Sequence, residues 1–230
     1  LNLGTAGALT TSDQKDQIAR IWDLLQSKSL QVFEIRAFHH SSITPPRVNH
    51  FRSDAYDSPE EVRAAFENRA LELNAQGYNI YTPLNPIKPD FCGKAAKDFD
   101  ILCRRFLLID IDRAGDTKRP ATERELSRAQ NVAQEVCDFL EAKGWSDPLR
   151  MMSGNGYHLY YPLESITNSD DSTALIKRVL LQLGQRFDTH EIVIDKTVFN
   201  ASRLTKVPGT IMRKGKESID RPYRMARILP

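Results

Sequence analysis

The chain has 230 residues, 40% hydrophobic and 27% charged, the make-up of a soluble globular protein with one sizeable domain or two small modules sharing a core. No apolar run approaches the roughly 18 residues of a membrane helix, no signal peptide opens the chain, and three cysteines without a CxxC pair exclude a disulfide framework and point to reduced thiols in the cytoplasm. The net charge is only +2, but residues 196–227 hold nine Lys and Arg against Glu217 and Asp220, an excess of +7 that suits either a polyanionic partner or a solvated basic segment.

The opening residues, LNLGTAGALTTSD, are neither basic nor begun by Met. They read as an internal cut or a processed end, with residues 1–12 expected to be flexible. Residues 13–28 put Ile18, Ile21, Trp22 and Leu25 on one helical face. VFEIRAF (32–38) alternates as a strand does, and RVNHFR (47–52) is its expected partner across a Pro-Pro turn. A capping box then opens a helix, with Ser58 at the N-cap, Pro59 at the first position and Glu61 at the third. Val62, Ala65, Phe66, Ala70 and Leu73 form its buried stripe, and Gly77 ends it. YNIYTPL (78–84) is a strand; residues 85–104 have no clean period and read as a long loop of the kind that is often functional.

RFLLIDID is the next strand. A second capping box, Thr122 with Glu125, starts a helix whose inner face is Leu126, Ala129, Ala133, Val136 and Leu140, ending at Gly144. RMMS (150–153) and YHLYYPL (157–163) are strands joined across GNG, and Leu175, Val179, Leu183 and Phe187 mark another helix. EIVID (191–195) and TVF (197–199) read as short strands, PGT (208–210) as a turn and YRMARIL (223–229) as a last strand. From residue 106 onward the order is β-α-β-β-α-β, that of an RRM-like, ferredoxin-type unit, with a smaller α/β module before it.

Asp110 and Asp112 sit in an otherwise apolar strand and, two apart, share one face about 7 Å from each other. Unpaired, they would be costly and each would raise the other's pKa. Either a basic partner or divalent metal answers that, and two Mg²⁺ or Mn²⁺ ions on carboxylates serve in-line phosphoryl transfer. The plainer alternative is a strand end where Asp112 caps the turn and Arg113 pairs with Asp110. Asp195 is a third acid at the tip of a buried strand, or simply the start of a turn.

SGNGYH (153–158) offers the Ser153 hydroxyl, the backbone of Gly154, Asn155 and Gly156 as a phosphate nest, and the His158 imidazole. A plain hairpin turn explains the same letters. Arg203 and Lys206 are spaced to share one side of a helical turn and to hold phosphate charge, or to be solvated bases. Gly209 after Pro208 marks a type II-like turn. Tyr78, Tyr81 and Asn85 stand just before the long loop; both tyrosines are expected in the core, with nucleotide or template contact as the alternative. A zinc site from Cys92, Cys103 and a histidine fits no common spacing.

LLIDID, then SGNGYH, then VID followed by FNASRLTKVPGT, resemble in this order the three motifs of the archaeo-eukaryotic primase superfamily, particularly its primase-polymerases from plasmids, phages and CRISPR-linked loci. FEIRAF, NIYTPLNP and RPYRMARIL extend the likeness over roughly residues 30–229. One departure is that the second motif is often Ser-x-His, whereas here Gly156 stands two before His158 and the serine five before, as in members with an SGxGxH form.

The resemblance implies an α+β archaeo-eukaryotic primase fold, a single catalytic domain over 13–230 in which an RRM-like module (105–230) packs with a smaller N-terminal module (13–104). It implies a two-metal site for Mg²⁺ or Mn²⁺ on Asp110, Asp112 and Asp195. Ser153, Gly154, Asn155, Gly156 and His158 would hold the incoming triphosphate, with Arg203 and Lys206 nearby. The activity implied is a template-dependent DNA primase or DNA polymerase working on a single-stranded DNA template and primer with NTP or dNTP, without a membrane. A helicase, fused or associated, commonly accompanies the look-alike proteins. The competing readings are a non-catalytic RRM-like nucleic-acid binder, which would need exposed aromatics on its sheet, and a metal-dependent phosphohydrolase or nuclease.

Overall fold

The computed structural model describes residues 10–26, 30–41 and 43–230, so most of the segment expected to be flexible lies outside the described residues. Its last residues do not: Thr10 accepts the Asp13 N–H and opens helix α1 (Thr11–Leu25), which buries Ile18, Ile21, Trp22 and Leu25 as the spacing requires. Strands β1 (Val32–His39) and β2 (Arg47–Arg52) pair antiparallel in the register Glu34 to His50. Helix α2 (Pro59–Ala75) follows, with the Ser58 hydroxyl accepting the Glu61 N–H. The expected box is only half formed, because the Glu61 carboxylate reaches past Ser58 to the Asp57 N–H at 3.2 Å. Gly77, at φ +91°, supplies the left-handed turn into β3 (Tyr78–Pro83).

The loop after β3 is ordered by a core of its own: Val32, Ile87, Phe91, Ala96, Ile101 and Ala201 are buried together. Strand β4 (Cys103–Arg113) leads to helix α3 (Glu123–Glu141), whose capping box of Thr122 and Glu125 is complete and whose five expected core residues are all buried. Strands β5 (Leu149–Met152) and β6 (Tyr157–Thr167), helix α4 (Asp170–Phe187) and strand β7 (Ile192–Ile194) complete a β-α-β-β-α-β succession. Helix α4 is rotated slightly from the expected face: Leu183 is buried as expected, Val179 and Phe187 pack partly buried against the core, Leu175 is exposed, and Ile176, Leu180 and Gly184 are buried instead. Gly184 lies on the buried face, and the Lys196 side chain occupies the place a Cβ there would take.

Beyond β7 the chain departs from expectation. Residues 197–199 form a turn, not a strand, and Arg203 with Lys206 is not on a helical turn because Leu204–Lys206 is strand β8. Strands β9 (Ile211–Met212), β10 (Arg224–Met225) and β11 (Arg227–Ile228) follow, so the expected last strand is split between two sheets.

All pairings are antiparallel. One sheet has the order β2-β1-β3-β8, the other β11-β5-β6-β4-β7, and β9 pairs with β10 alone. One hydrophobic core takes Ile35 and Ile80 from the first large sheet and Ile109 and Leu159 from the second. Helix α1 is tied across this core to the C-terminal strand, where the Ile228 N–H donates to Gln17 and Arg20 donates to the Ile228 and Leu229 carbonyls. No helix among the described residues is long and apolar enough to cross a membrane.

Candidate active site

Strand β4 buries Leu107, Leu108, Ile109 and Ile111, and the alternation leaves Asp110 and Asp112 on one face, lining a cleft of about 390 Å³. Asp110 pairs across the ladder with His158 of β6, and His158 Nε2 stands 3.4 Å from Asp110 Oδ1. Arg113 does not neutralise Asp110. Its guanidinium donates instead to the carbonyls of Asp116 and Arg119 and lies against Glu125. Asp112 accepts the Arg113 backbone N–H at 2.8 Å, and Lys214 Nζ is 4.0 Å from its other oxygen.

Asp195 follows β7, its N–H donating to the Asp110 carbonyl at 2.8 Å. Its Oδ1 accepts both the N–H and the hydroxyl of Thr197 at 2.7 Å, and its side chain does not line the cleft. Its charge still acts on Asp110. Although 27% of the Asp110 side chain is exposed, its carboxyl is pushed up to about 7, first by burial, then by Asp112 and Asp195, against Arg203 and Lys214. Two acids sharing a face with so little compensation have the donor chemistry of a hard divalent cation site. Among the described residues no group of three or more His, Cys, Asp or Glu stands in a metal-holding arrangement, so the fit rests on Asp110 and Asp112, with Asp195 next to them.

The opposite wall is basic. Lys206 is 1% exposed, its ammonium donates only a long 3.5 Å bond to the Ile211 carbonyl, and it lies over the Tyr81 ring. Burial, and then Arg213, push its pKa well below the usual lysine range. Arg203 is held by the Asn200 side chain and the Thr197 carbonyl and lines the same cleft. Burial disfavours the charged form of the poorly partnered Lys206 amino group, and an anion entering the cleft would stabilise it as a cation.

The loop between β5 and β6 divides by residue. The Ser153 and Asn155 side chains line the cleft; Asn155 Oδ1 accepts the Ala121 N–H while its buried Nδ2 has no partner. Gly154, at φ +105°, and Gly156 are explained by packing, since a Cβ would strike Met212 at the first and the Ile111 carbonyl at the second. Ser153 N–H donates to the Gly156 carbonyl, closing the turn. His158 is pushed down to about 4 by burial, partly offset by Asp112, so its imidazole is neutral near pH 7 and has one N–H to donate.

Of the residues before the long loop, only Tyr81 reaches the cleft. Tyr78 is packed and accepts from Arg47, and Asn85 is a joint between the Arg105 N–H and the Ala201 carbonyl. Sequence reasoning missed Phe38, Met212 and Lys214, which also line the cleft. Phe38, 40% exposed, could have been found as the third member of the Glu34-Arg36-Phe38 face; Lys214 gave no signal beyond the basic run.

No protein-family model matches the chain, and no curated protein matches it in sequence. Among solved structures it is similar to the primase RepB′, with a TM-score of 0.52 and 13% identity over 94% of this chain. It is also similar to the polymerase domain of Ligase D from Mycobacterium tuberculosis, solved in complex with DNA, with a TM-score of 0.52 and 17% identity over 94% of this chain. The chain spans 56% of the RepB′ chain and 81% of the Ligase D domain chain. At these identities the likeness is one of fold.

Proposed function

We propose that the chain is a template-directed nucleotidyltransferase, a primase-polymerase that adds nucleotides to a 3′-hydroxyl and releases pyrophosphate. The observation that carries this reading is one cleft holding two under-compensated aspartates on one wall and a buried, poorly partnered lysine on the other. The fold neighbours, a primase and a polymerase domain, agree with it. The strand order β5-β6-β4-β7 within the second sheet supports reading 105–230 as an RRM-like module, with 13–104 as the module before it.

Asp110 and Asp112, with Asp195 beside them, would hold Mg²⁺ or Mn²⁺, which supplies Lewis acidity toward the attacking hydroxyl and the leaving pyrophosphate. The chain's own groups do the rest. Lys206 and Arg203 hold the triphosphate charge, and the Ser153 hydroxyl, Asn155 Nδ2 and neutral His158 donate to its oxygens. Phe38 and Tyr81 give the cleft an apolar wall, which suits a base or sugar. Of the basic residues from 196 onward, Lys196, Arg221 and Arg224 pair with Asp188, Glu125 and Glu123, and the exposed Lys216 and Arg227 are left to suit the backbone of a single-stranded template or primer.

The test is incubation with single-stranded DNA template, with and without primer, NTPs and dNTPs, in Mg²⁺ and in Mn²⁺, with products sized on a gel. Extension that disappears in the Asp110→Ala, Asp112→Ala double variant supports the reading. Strand cleavage or nucleotide hydrolysis without extension would replace it with a phosphohydrolase.

A further inference from the structure

The His158 ring has a second neighbourhood, on the side away from Asp110. Its Nδ1 lies 3.0 Å from the Tyr160 hydroxyl, and that hydroxyl lies 2.5 Å from Thr205 Oγ1. Thr205 Oγ1 is itself 3.4 Å from Nδ1, and Met151 Sδ is 3.6 Å from the Tyr160 hydroxyl. Tyr160 and Thr205 are fully buried, and neither lines the cleft. The contact joins the two large sheets: Tyr160 belongs to β6, and Thr205 sits in β8 between Leu204 and Lys206, both of which face the cleft.

We propose that Tyr160 and Thr205 are positioning residues that hold His158 as its Nε2–H tautomer, so that the ring presents a hydrogen-bond donor to the cleft. A neutral imidazole carries one donor and one acceptor nitrogen, and its other partner decides which is which. With hydrogen on Nε2 every proton has an acceptor: Thr205 O–H donates to the Tyr160 oxygen, Tyr160 O–H to Nδ1, and Nε2–H points at the acids and at whatever phosphate oxygen enters. Because Thr205 precedes Lys206, the strand that seats the lysine also sets the histidine, and the two anion-binding groups are oriented together.

The test is long-range ¹H–¹⁵N correlation on protein labelled at histidine nitrogen, for the wild type and for Tyr160→Phe, Thr205→Val and Thr205→Ser. The wild type is expected to show His158 protonated at Nε2. Tyr160→Phe, which keeps the ring's packing, and Thr205→Val shift it toward a mixture of tautomers; Thr205→Ser restores the wild-type signature. The KM for nucleotide should rise about tenfold in Tyr160→Phe with kcat within about twofold, the effect of one hydrogen bond to a charged group. A wild-type ring protonated at Nδ1, or a Tyr160→Phe ring still wholly protonated at Nε2, overturns the proposal. Should Thr205→Val fail to fold, Tyr160→Phe decides alone. The KM arm rests on the nucleotidyltransferase reading and the tautomer arm does not; a wild type that incorporates nothing yet shows the expected tautomer shifts defeats that reading and upholds this one.

Discussion

Two strands of this protein each carry a sheltered carboxylate, and they treat it in opposite ways. Glu34 on β1 is 0% exposed and is met on every side: by His50 Nε2 at 3.0 Å, by the Ala96 N–H at 2.8 Å and by the Arg36 guanidinium. Burial alone would push its carboxyl up, but the hydrogen bonds from His50, Ala96 and Arg36 outweigh it and hold the pKa below the usual value. Asp110 on β4 has more of its side chain exposed, yet its carboxyl is pushed up to about 7, first by burial and then by Asp112 and Asp195, and no hydrogen-bond donor offsets that as it does at Glu34. The Glu34 cluster is complete within the chain and pins the long loop to the sheet. The Asp110 cluster has no such set of donors among the described residues, and in the proposed function a divalent cation would supply the missing compensation. Both carboxyls are pushed up by burial, and partner inventory separates the satisfied one on β1 from the one the proposed function uses on β4.

That contrast can be broken most directly at Asp110 and Asp112. Replacing both by Ala should lower nucleotide incorporation by a factor of roughly 10³ or more while leaving the fold intact, measured by primer extension and by circular dichroism. The corresponding change at Glu34 reverses the pattern. Glu34→Ala leaves Arg36 without its buried partner and should cost about 3 kcal/mol, a fall in Tm of roughly 10 °C, with activity at low temperature largely kept.

A sharper version uses pH. Asp110, with its folded pKa raised, contributes stability that is fully present below its unfolded value and is lost as pH rises through about 7. Asp110→Asn should therefore raise the metal-free Tm at pH 8 by about 5 °C, on the order of 2 kcal/mol, and abolish the further rise that Mg²⁺ gives the wild type. Glu34, with its folded pKa lowered, contributes stability present above its unfolded value and lost as pH falls below it, so Glu34→Gln should flatten the acid limb of a Tm-against-pH curve and Asp110→Asn the neutral limb. Overlapping curves for the two variants would end the comparison. The smallest effect is expected from Arg203→Ala, a five- to tenfold rise in nucleotide KM with little change in kcat.

How legible was this in the sequence? The helices and strands up to β7 follow local rules that the letters display. Thr122 with Glu125 caps α3, and Ile18, Ile21, Trp22 and Leu25 fall on one helical face. In FLLIDIDR, two-residue alternation alone puts both acids on one side. Beyond β7 the chain obeys no such period. Strands β8 to β11 have two or three residues each, and their places are set by distant partners, Tyr81 for Lys206 and Met152 for Arg227. A spacing of three therefore suggested a helical turn at Arg203 and Lys206 where tertiary pairing imposes a strand. The glycines of SGNGYH show the converse limit. Their need for space is visible in the letters, but whether phosphate or protein fills it is not, and here Met212 and the Ile111 carbonyl do.

Strand β8 has a consequence for how the molecule comes together. Lys206 pairs with Tyr81, more than half the chain away, and the pairing fills the open edge of β3. Such a junction closes slowly, because a long loop must be restrained before any contact rewards it. The acidic wall, built from β4 and its adjacent hairpin, can assemble from near neighbours, whereas the basic wall waits for the far end of the chain. A nascent chain that stops short of residue 206 would thus carry its carboxylates, an unpaired β3 edge and no lysine. It would be prone to strand-to-strand aggregation and would lack the buried lysine that the completed cleft sets against its acids.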